Sequence, residues 1–266
     1  MNTVLTPRSR VVARILAVVL LACAAGVASA ADALRPEVGK PLQAAQELLK
    51  SKKYSEAMTR VSEAEKIPNL TPYESYIIAR MRAASALGLG DYKAAANAYY
   101  AVLASGRLPE AEKLPTMEAL VRLSYSAREY PKAIEAIQRY RGAGGANAEV
   151  IGLLPQALYI QQRYAEAARE LTAQIVAGEQ AGKAPSETQL QLLGSCALKQ
   201  NDNAGYLAAL ERLVTYYPKQ TYWLDVVLRT ASRPGFSDRM SLDTYRLRSA
   251  TGTMDEANDF IEATQL

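Results

Sequence analysis

Apolar and polar positions alternate along this chain in blocks of helical period. LQAAQELLK, ESYIIARMRAASALG, MEALVRLSYSA, LLPQALYIQ and TQLQLLGSCALK each place apolar residues three and four apart, the spacing that gives a helix one buried face. Each block runs into a short polar or glycine-bearing stretch (SKK, LGLGD, ARE, QQR, QNDNAG), which predicts a turn. A second helical block follows each turn. Long β-branched runs are missing outside the N-terminus, so the predicted class is all-α, built from helix–turn–helix units of about 34 to 42 residues.

The second helices share a figure. Of 16 tyrosines, five have Ala three residues on and a bulky apolar residue four beyond that. They are Tyr54/Ala57/Val61, Tyr92/Ala95/Tyr99, Tyr130/Ala133/Ile137, Tyr164/Ala167/Leu171 and Tyr206/Ala209/Leu213, spaced 38, 38, 34 and 42 residues apart. Tyr76 and Tyr140 meet the first condition, but Ala83 and Asn147 fail the second. Positions i, i+3 and i+7 lie on one helix face. The expected packing is a tyrosine ring filling a gap against the preceding helix, an alanine allowing close approach, and a bulky residue closing the contact.

These residues resemble the tetratricopeptide repeat family, whose period is about 34 residues with Leu-Gly in the first helix and Tyr, Ala, Phe and Pro markers. Leu193-Gly194 matches the pair, and Ala45, Ala83 and Ala197 or their neighbours supply small residues elsewhere. The resemblance spans about residues 35 to 217. It implies a right-handed α-solenoid of stacked hairpins, five of them over 31–217. A further hairpin and a C-terminal helix, either a cap or the start of a shortened array, would occupy 218–266. The stretches 67–72, 104–115 and 142–148 are long for the family. Pro155 falls where the first helix of the fourth repeat wants a small residue, which predicts a kink or a start delayed to Gly152–Leu154. Pro115 is expected to mark a helix beginning.

In the family the first helices line the concave side, where partner segments lie. By register this implies a partner-binding groove at Gln46, Lys50, Arg80, Arg122, Tyr125, Gln156, Tyr159 and Lys199. Their mix of cations, amides and tyrosines suits a polar extended peptide or an acidic segment. Tyr125 and Tyr159 stand out as aromatics at equivalent positions of neighbouring repeats. The Lys/Asn clamp that some family members use for a C-terminal carboxylate is not recognisable. Tyr99-Tyr100 and Tyr216-Tyr217 follow a second-helix face and are expected in the core.

The first thirty residues read as an address. Arg8, Arg10 and Arg14 precede the apolar run ILAVVLLACAAGVA, and Ala-Ser-Ala then precedes Ala31. That is a secretory signal peptide with cleavage after Ala30, and the run is shorter than the ~20 residues needed to span a bilayer. Leu20-Leu21-Ala22-Cys23 is the competing signal, which would lipidate Cys23. Either outcome puts the mature chain outside the inner membrane, in the periplasm or anchored to an envelope membrane.

Charge and composition narrow the chemistry. The net charge of +4 falls to +1 without the three leader arginines, leaving 28 basic against 27 acidic residues, so the balance gives little support for nucleic-acid binding. The chain has no histidine, which excludes Ser-His-Asp and Cys-His catalysis and every His-ligated metal site. Cys196 is the one cysteine after the leader, in a helical apolar stretch, and reads as a buried hydrophobe. The glycines of LGLGD and GAGG sit at helix ends, without the strand or lysine of a phosphate loop. The expected protein is a non-enzymatic scaffold or adaptor without cofactors, which binds a protein or peptide partner. The alternatives are a lipid-anchored module supporting envelope polymer assembly or secretion and, least favoured, an enzyme.

Overall fold

The computed structural model describes residues 33–230 and 237–254. The expected leader, the turn at RPGFS and the last helical segment lie outside them wholly or in large part. Helices account for the regular structure of the described residues, and no strand is present among them. The chain divides into two compact units, residues 1–153 and 154–266.

In the first unit the helices are α1 (Pro36–Lys50), α2 (Tyr54–Glu65), α3 (Pro72–Leu89), α4 (Tyr92–Ala104), α5 (Glu110–Ser126), α6 (Tyr130–Gly142) and the short α7 (Ala148–Ile151). They pair as three hairpins, α1/α2, α3/α4 and α5/α6, and each helix packs on the next in order. First helices also meet across hairpins, α1 on α3. Val38, Leu42 and Ala45 of α1 form one core with Val61 and Ala64 of α2 and Ile78 of α3.

The second unit takes in α8 (Leu153–Ile160), whose first residue closes the first unit, then α9 (Tyr164–Gln180), α10 (Glu187–Lys199), α11 (Asn203–Tyr216), α12 (Gln220–Thr230) and α13 (Asp238–Ala250). The hairpins here are α8/α9, α10/α11 and α12/α13. Helices α9 to α13 pack serially.

The turn inside the first five hairpins has one geometry. Lys52, Gly90, Arg128, Gln162 and Asn201 all adopt left-handed backbone, with φ between 56° and 74°. The residue after each donates its N–H back five positions, to Leu48, Ala86, Ser124, Leu158 and Ala197 at 2.8 to 3.0 Å. This is the Schellman ending, in which the last carbonyls of the first helix are satisfied as the chain reverses. Tyr54, Tyr92, Tyr130 and Tyr164 are then the first residues of their helices. In the fifth hairpin the helix begins three residues before Tyr206, at Asn203, with the Asp202 side chain capping Gly205 N–H at 2.8 Å. Counted from turn to turn, the hairpins are therefore 38, 38, 34 and 39 residues apart. The extra residues lengthen the second helix instead of the loop.

The alanines and closing residues are the buried part of the repeated figure. Ala57, Ala95, Ala133 and Ala167 are fully buried, as are Val61 and Ile137. The tyrosines are half-buried, and Tyr92 is 41% exposed. Tyr54 also departs from the expected partner: it packs with Leu48 of α1 and also with Met81 and Ala84 of the following hairpin. A Cβ on Gly88 of α3 would overlap the Tyr54 ring. The residue corresponding to Gly88 one hairpin on is Ser126, and the corresponding wedge, Tyr92, is the one left exposed.

Two proline expectations separate. Helix α8 starts at Leu153 and carries Pro155 as its third residue, where no intrahelical N–H is needed. Pro115 does not open its helix. Helix α5 begins at Glu110, so Pro115 lies sixth and inside it. The helix starts early because Glu110 and Glu112 favour a first turn, and Pro115 forgoes the one hydrogen bond to Ala111 C=O.

Candidate functional site

The eight groove residues lie on first helices and none is buried. Gln46, Arg122 and Gln156 each precede the left-handed turn residue of their hairpin by six positions, so they are structural equivalents. Tyr125 and Tyr159 precede it by three, as expected of equivalent positions.

In the first unit the cations of this set are already engaged. Arg80 Nη2 lies 3.4 Å from a Glu112 carboxylate oxygen, its Nη1 donates to Tyr76 OH at 2.8 Å, and its side chain is only 13% exposed. Arg122 pairs with Glu149 of α7 at 3.0 Å. Both ion pairs reach from a first helix to a following element. Lys50 pairs with Glu47 on its own helix. Gln46 is half-buried. The face is thus more neutral than residue types alone suggest, which weakens the case for a strongly acidic partner.

The two tyrosines contribute to the hairpins themselves. Tyr125 meets Tyr130 edge-to-face at 5.4 Å between ring centres and 78° between planes. Tyr159 meets Tyr164 at 5.2 Å and 65°. Such pairs are worth about 0.5–1.5 kcal/mol beyond their buried area. Burial, with Tyr130 as a lesser influence, pushes the Tyr125 hydroxyl above its ordinary range. Tyr99 is buried as expected and its hydroxyl is pushed up to about 12 by burial. Tyr100 donates to Lys132 C=O at 3.3 Å. Tyr216 departs from the core expectation: it is 37% exposed, with its hydroxyl on Glu179 at 3.0 Å. The helix face carrying it points outward because Leu213 and Val214 take the inner positions.

In the second unit, Gln156 and Lys199 are exposed, and the chief feature is one that sequence reading missed. A cavity of about 320 Å³ opens between α10, α11 and α12. Its floor is Gly194, Ala209, Leu210 and Leu213. Gln191, Ser195 and Leu198 of α10 and Tyr222 and Asp225 of α12 form its rim. Gly194 sits 3.3 Å, measured from an added Cβ, from the Tyr206 ring, so glycine there sets how deeply the tyrosine seats. Tyr206 OH donates to Asp225, Arg229 Nε donates to the same carboxylate at 3.0 Å, and the guanidinium stacks 4.4 Å from the Tyr206 ring centre. Burial and then Asp225 push Tyr206 up to about 12. At the other side Gln191 donates to Tyr222 OH at 2.7 Å, Tyr222 donates to Glu187, and Lys219 pairs with Glu187 at 2.6 Å. Lys219 and Tyr222 together hold Glu187 below the usual carboxylate range. Leu198 stands 42% exposed at the rim.

The five turns, the buried alanines and the tyrosine at or near the head of the second helix in each of the first five hairpins decide the fold. The chain is built of tetratricopeptide-like helical hairpins. No protein-family model matches it, and no curated protein does. Two solved structures align with most of it. One is the C-terminal part of a TPR repeat-containing protein from Cytophaga hutchinsonii, with 16% identity over 84% of this chain and 85% of that one, at a TM-score of 0.42. The other is the TPR2AB domain of yeast Sti1 in complex with pHSP90, with 12% identity over 86% of this chain and 95% of that one, at 0.37.

Among the described residues no group of His, Cys, Asp or Glu could hold a metal ion, and no helix is long and apolar enough to cross a membrane. Cys196 is fully buried, and burial pushes its thiol up to about 11, which suppresses the reactive thiolate.

Proposed function

We propose that this chain is a non-enzymatic interaction scaffold of the bacterial periplasm, exported by its first thirty residues, which holds a partner segment against the first helices of its tetratricopeptide-like hairpins. The observation that carries this reading is the cavity between α10 and α12. It has an apolar floor large enough for a side chain and a rim of an amide, a hydroxyl, a phenol and a carboxylate, the combination that fixes an extended peptide while burying one of its residues. The engaged state of Arg80 and Arg122 favours a polar segment of low net charge over an acidic one. Lys199, exposed beside the cavity, is the groove residue best placed to meet it.

A photo-crosslinking residue tests this. Placed at Lys199, beside the rim, it forms adducts with a partner polypeptide in intact envelopes. Placed at Gln138, on the exposed side of α6, it forms none. Equal adducts at both positions contradict the groove.

A second reading rests on Leu20-Leu21-Ala22-Cys23: a module tethered by a lipid on Cys23 that supports envelope polymer assembly or secretion. Intact mass of the envelope protein separates the two, since one begins at Ala31 and the other at an acylated Cys23. An uncleaved chain in the cytosol contradicts both.

A further inference from the structure

A cavity of about 320 Å³ lies in the first unit, where the end of α4 meets α5 and α6, and none of the groove residues lines it. Leu108 of the α4–α5 connection, Leu120 of α5 and Ala136 of α6 are buried and form its floor. Leu103 and Met117 are its half-buried walls, and Ala104 and Gly106 its exposed lip. Gly106 holds left-handed backbone at φ 66°, so the chain turns sharply after α4, and Leu108 is buried although it lies outside any helix. Ala136 offers only a methyl group to the floor, which leaves the space open.

Two cations complete the lining, Lys113 from α5 and Arg139 from α6. Among the described residues no carboxylate, amide or hydroxyl side chain lines the cavity. Each cation has a partner on its own helix, Lys113 with Glu110 at 2.5 Å and Arg139 with Glu135 at 3.2 Å. Those acids stand outside the lining, with side chains 86% and 54% exposed. Ion pairs so open to water are weak, and a carboxylate arriving from the cavity shares or replaces them at little cost.

The hairpin before provides a contrast. Its equivalent space, 38 residues earlier, keeps the apolar floor, with Leu70 for Leu108 and Ala98 for Ala136. It has Ser75 for Lys113, Ala101 for Arg139 and Glu65 for Leu103, and its one cation, Arg82, is already on Glu65. The later cavity joins an oily floor to positive charge where the earlier one does not. A polypeptide would bring an N–H at every residue but proline, and no side chain of the lining accepts one, whereas a hydrocarbon tail needs no such partner. A phosphate dianion would lie beside Glu110 and Glu135, while a carboxylate adds a single charge. At this volume, near the small end of ligand pockets, one hydrocarbon chain fits and a two-chain lipid does not.

We infer that this cavity binds a single-chain aliphatic carboxylate of the fatty-acid class, its tail on Leu108, Leu120 and Ala136 and its head held by Lys113 and Arg139. The site is separate from the first-helix groove and stands whether or not that groove binds.

The test titrates the ¹⁵N-labelled protein with octanoate and decanoate at pH 7, below the concentrations at which they form micelles. Saturable shifts are expected at Gly106, Met117, Leu120 and Ala136 and not at Ile78, Ala79 or Ala98 of the earlier space. The Kd for decanoate should be about 0.1–1 mM, as befits so small a ligand. The two methylenes it adds to octanoate should tighten binding about four- to fifteenfold, the worth of partly to fully burying them. Lys113→Gln combined with Arg139→Gln, both side chains reaching solvent, should weaken decanoate about three- to tenfold. Decylammonium should bind at least about threefold more weakly than decanoate. N-acetyl-leucyl-leucine, an anionic and oily peptide end, should bind more weakly than octanoate. No saturable shift at these residues, equal shifts in both spaces or no gain from the longer chain would each overturn the assignment. So would binding of decylammonium as tight as that of decanoate, binding of the peptide as tight as that of octanoate, or undiminished binding by the double variant.

Discussion

Arg35 and Glu74, 39 residues apart in sequence, join the head of the first hairpin to the head of the second. Arg35 Nε donates to Glu74 Oε1 and Nη2 to Oε2, each at 2.9 Å, in a bidentate fork. The carboxylate is fully buried and accepts two more bonds, from Arg35 N–H at 3.1 Å and Thr71 N–H at 2.8 Å. The Thr71 hydroxyl in turn caps Glu74 N–H, completing the capping box that starts α3. The Arg35 side chain, the largest cause, and the Thr71 and Arg35 N–H donors hold the Glu74 carboxyl at about 2, against burial, which acts to raise it.

That depression fixes a pH dependence. A carboxylate with a lowered folded pKa contributes stability that is present in full above its unfolded value and lost as pH falls through the folded one. Glu74 therefore stabilises the first unit at neutral pH, and its contribution fades between its ordinary value of 4.5 and about 2. Glu74→Gln should lower stability at pH 7 by about 1.5–3 kcal/mol, the worth of hydrogen bonds to a charged group. The gap from the wild type should close as the denaturation series moves from pH 5 to pH 2. A gap that stays constant with pH would contradict the assignment.

Tyr54 and Gly88 make a second testable contact. An added Cβ on Gly88 would overlap Cγ as well as the ring edge of Tyr54, so the ring can escape only by changing χ1. Gly88→Ala should destabilise by about 1–3 kcal/mol of overpacking, less about 1 kcal/mol of helix propensity gained. In a Tyr54→Ala background the sign should reverse, with alanine the more stable residue at 88. Chemical denaturation of the four proteins closes this cycle.

The turn residues offer gains. Lys52, Arg128 and Gln162 hold left-handed backbone that glycine adopts freely and that costs other residues about 1–2 kcal/mol. Lys52→Gly and Gln162→Gly should each raise stability by a few tenths to about 1 kcal/mol, the greater freedom of glycine in the unfolded chain offsetting part of the gain. Gly90→Ala, the reverse change in the second hairpin, should lower it. Thermal unfolding reads all three.

Cys196 reports on opening of the second unit. With the thiol buried and held at about 11, native protein should react with a thiol reagent at pH 8 only as fast as the hairpin opens. Labelling in urea should accelerate in step with unfolding followed by circular dichroism. Immediate native labelling would place Cys196 at the surface.

Much of the fold was readable because its rule is local. The tyrosine, alanine and closing residue fall on one helix face, and each turn is announced a few residues earlier. The partners across hairpins were not readable. Nothing near Arg35 names Glu74, although Thr71-x-x-Glu74 is a legible capping signal, and nothing near Tyr54 names Gly88. Among site residues, register placed Tyr125 and Tyr159 on equivalent positions, but Arg80 and Arg122 looked free because Glu112 and Glu149 are distant in sequence. The α10–α12 cavity was hidden for the same reason. Gly194 drew notice as half of a Leu-Gly pair, while Tyr222 and Asp225 came from a stretch whose pattern had loosened.

A tyrosine ring set against a first-helix glycine, Tyr54 on Gly88 of the following hairpin and Tyr206 on Gly194 of its own hairpin, is the packing that the account turns on in each unit. Nuclear Overhauser contacts from these two tyrosine rings to the glycine Hα protons read it directly. Both glycines should show such contacts and upfield-shifted Hα resonances from the overlying rings. Unshifted glycine resonances with no ring contacts would mean that the tyrosines do not seat between helices, and the hairpin packing described above would be wrong.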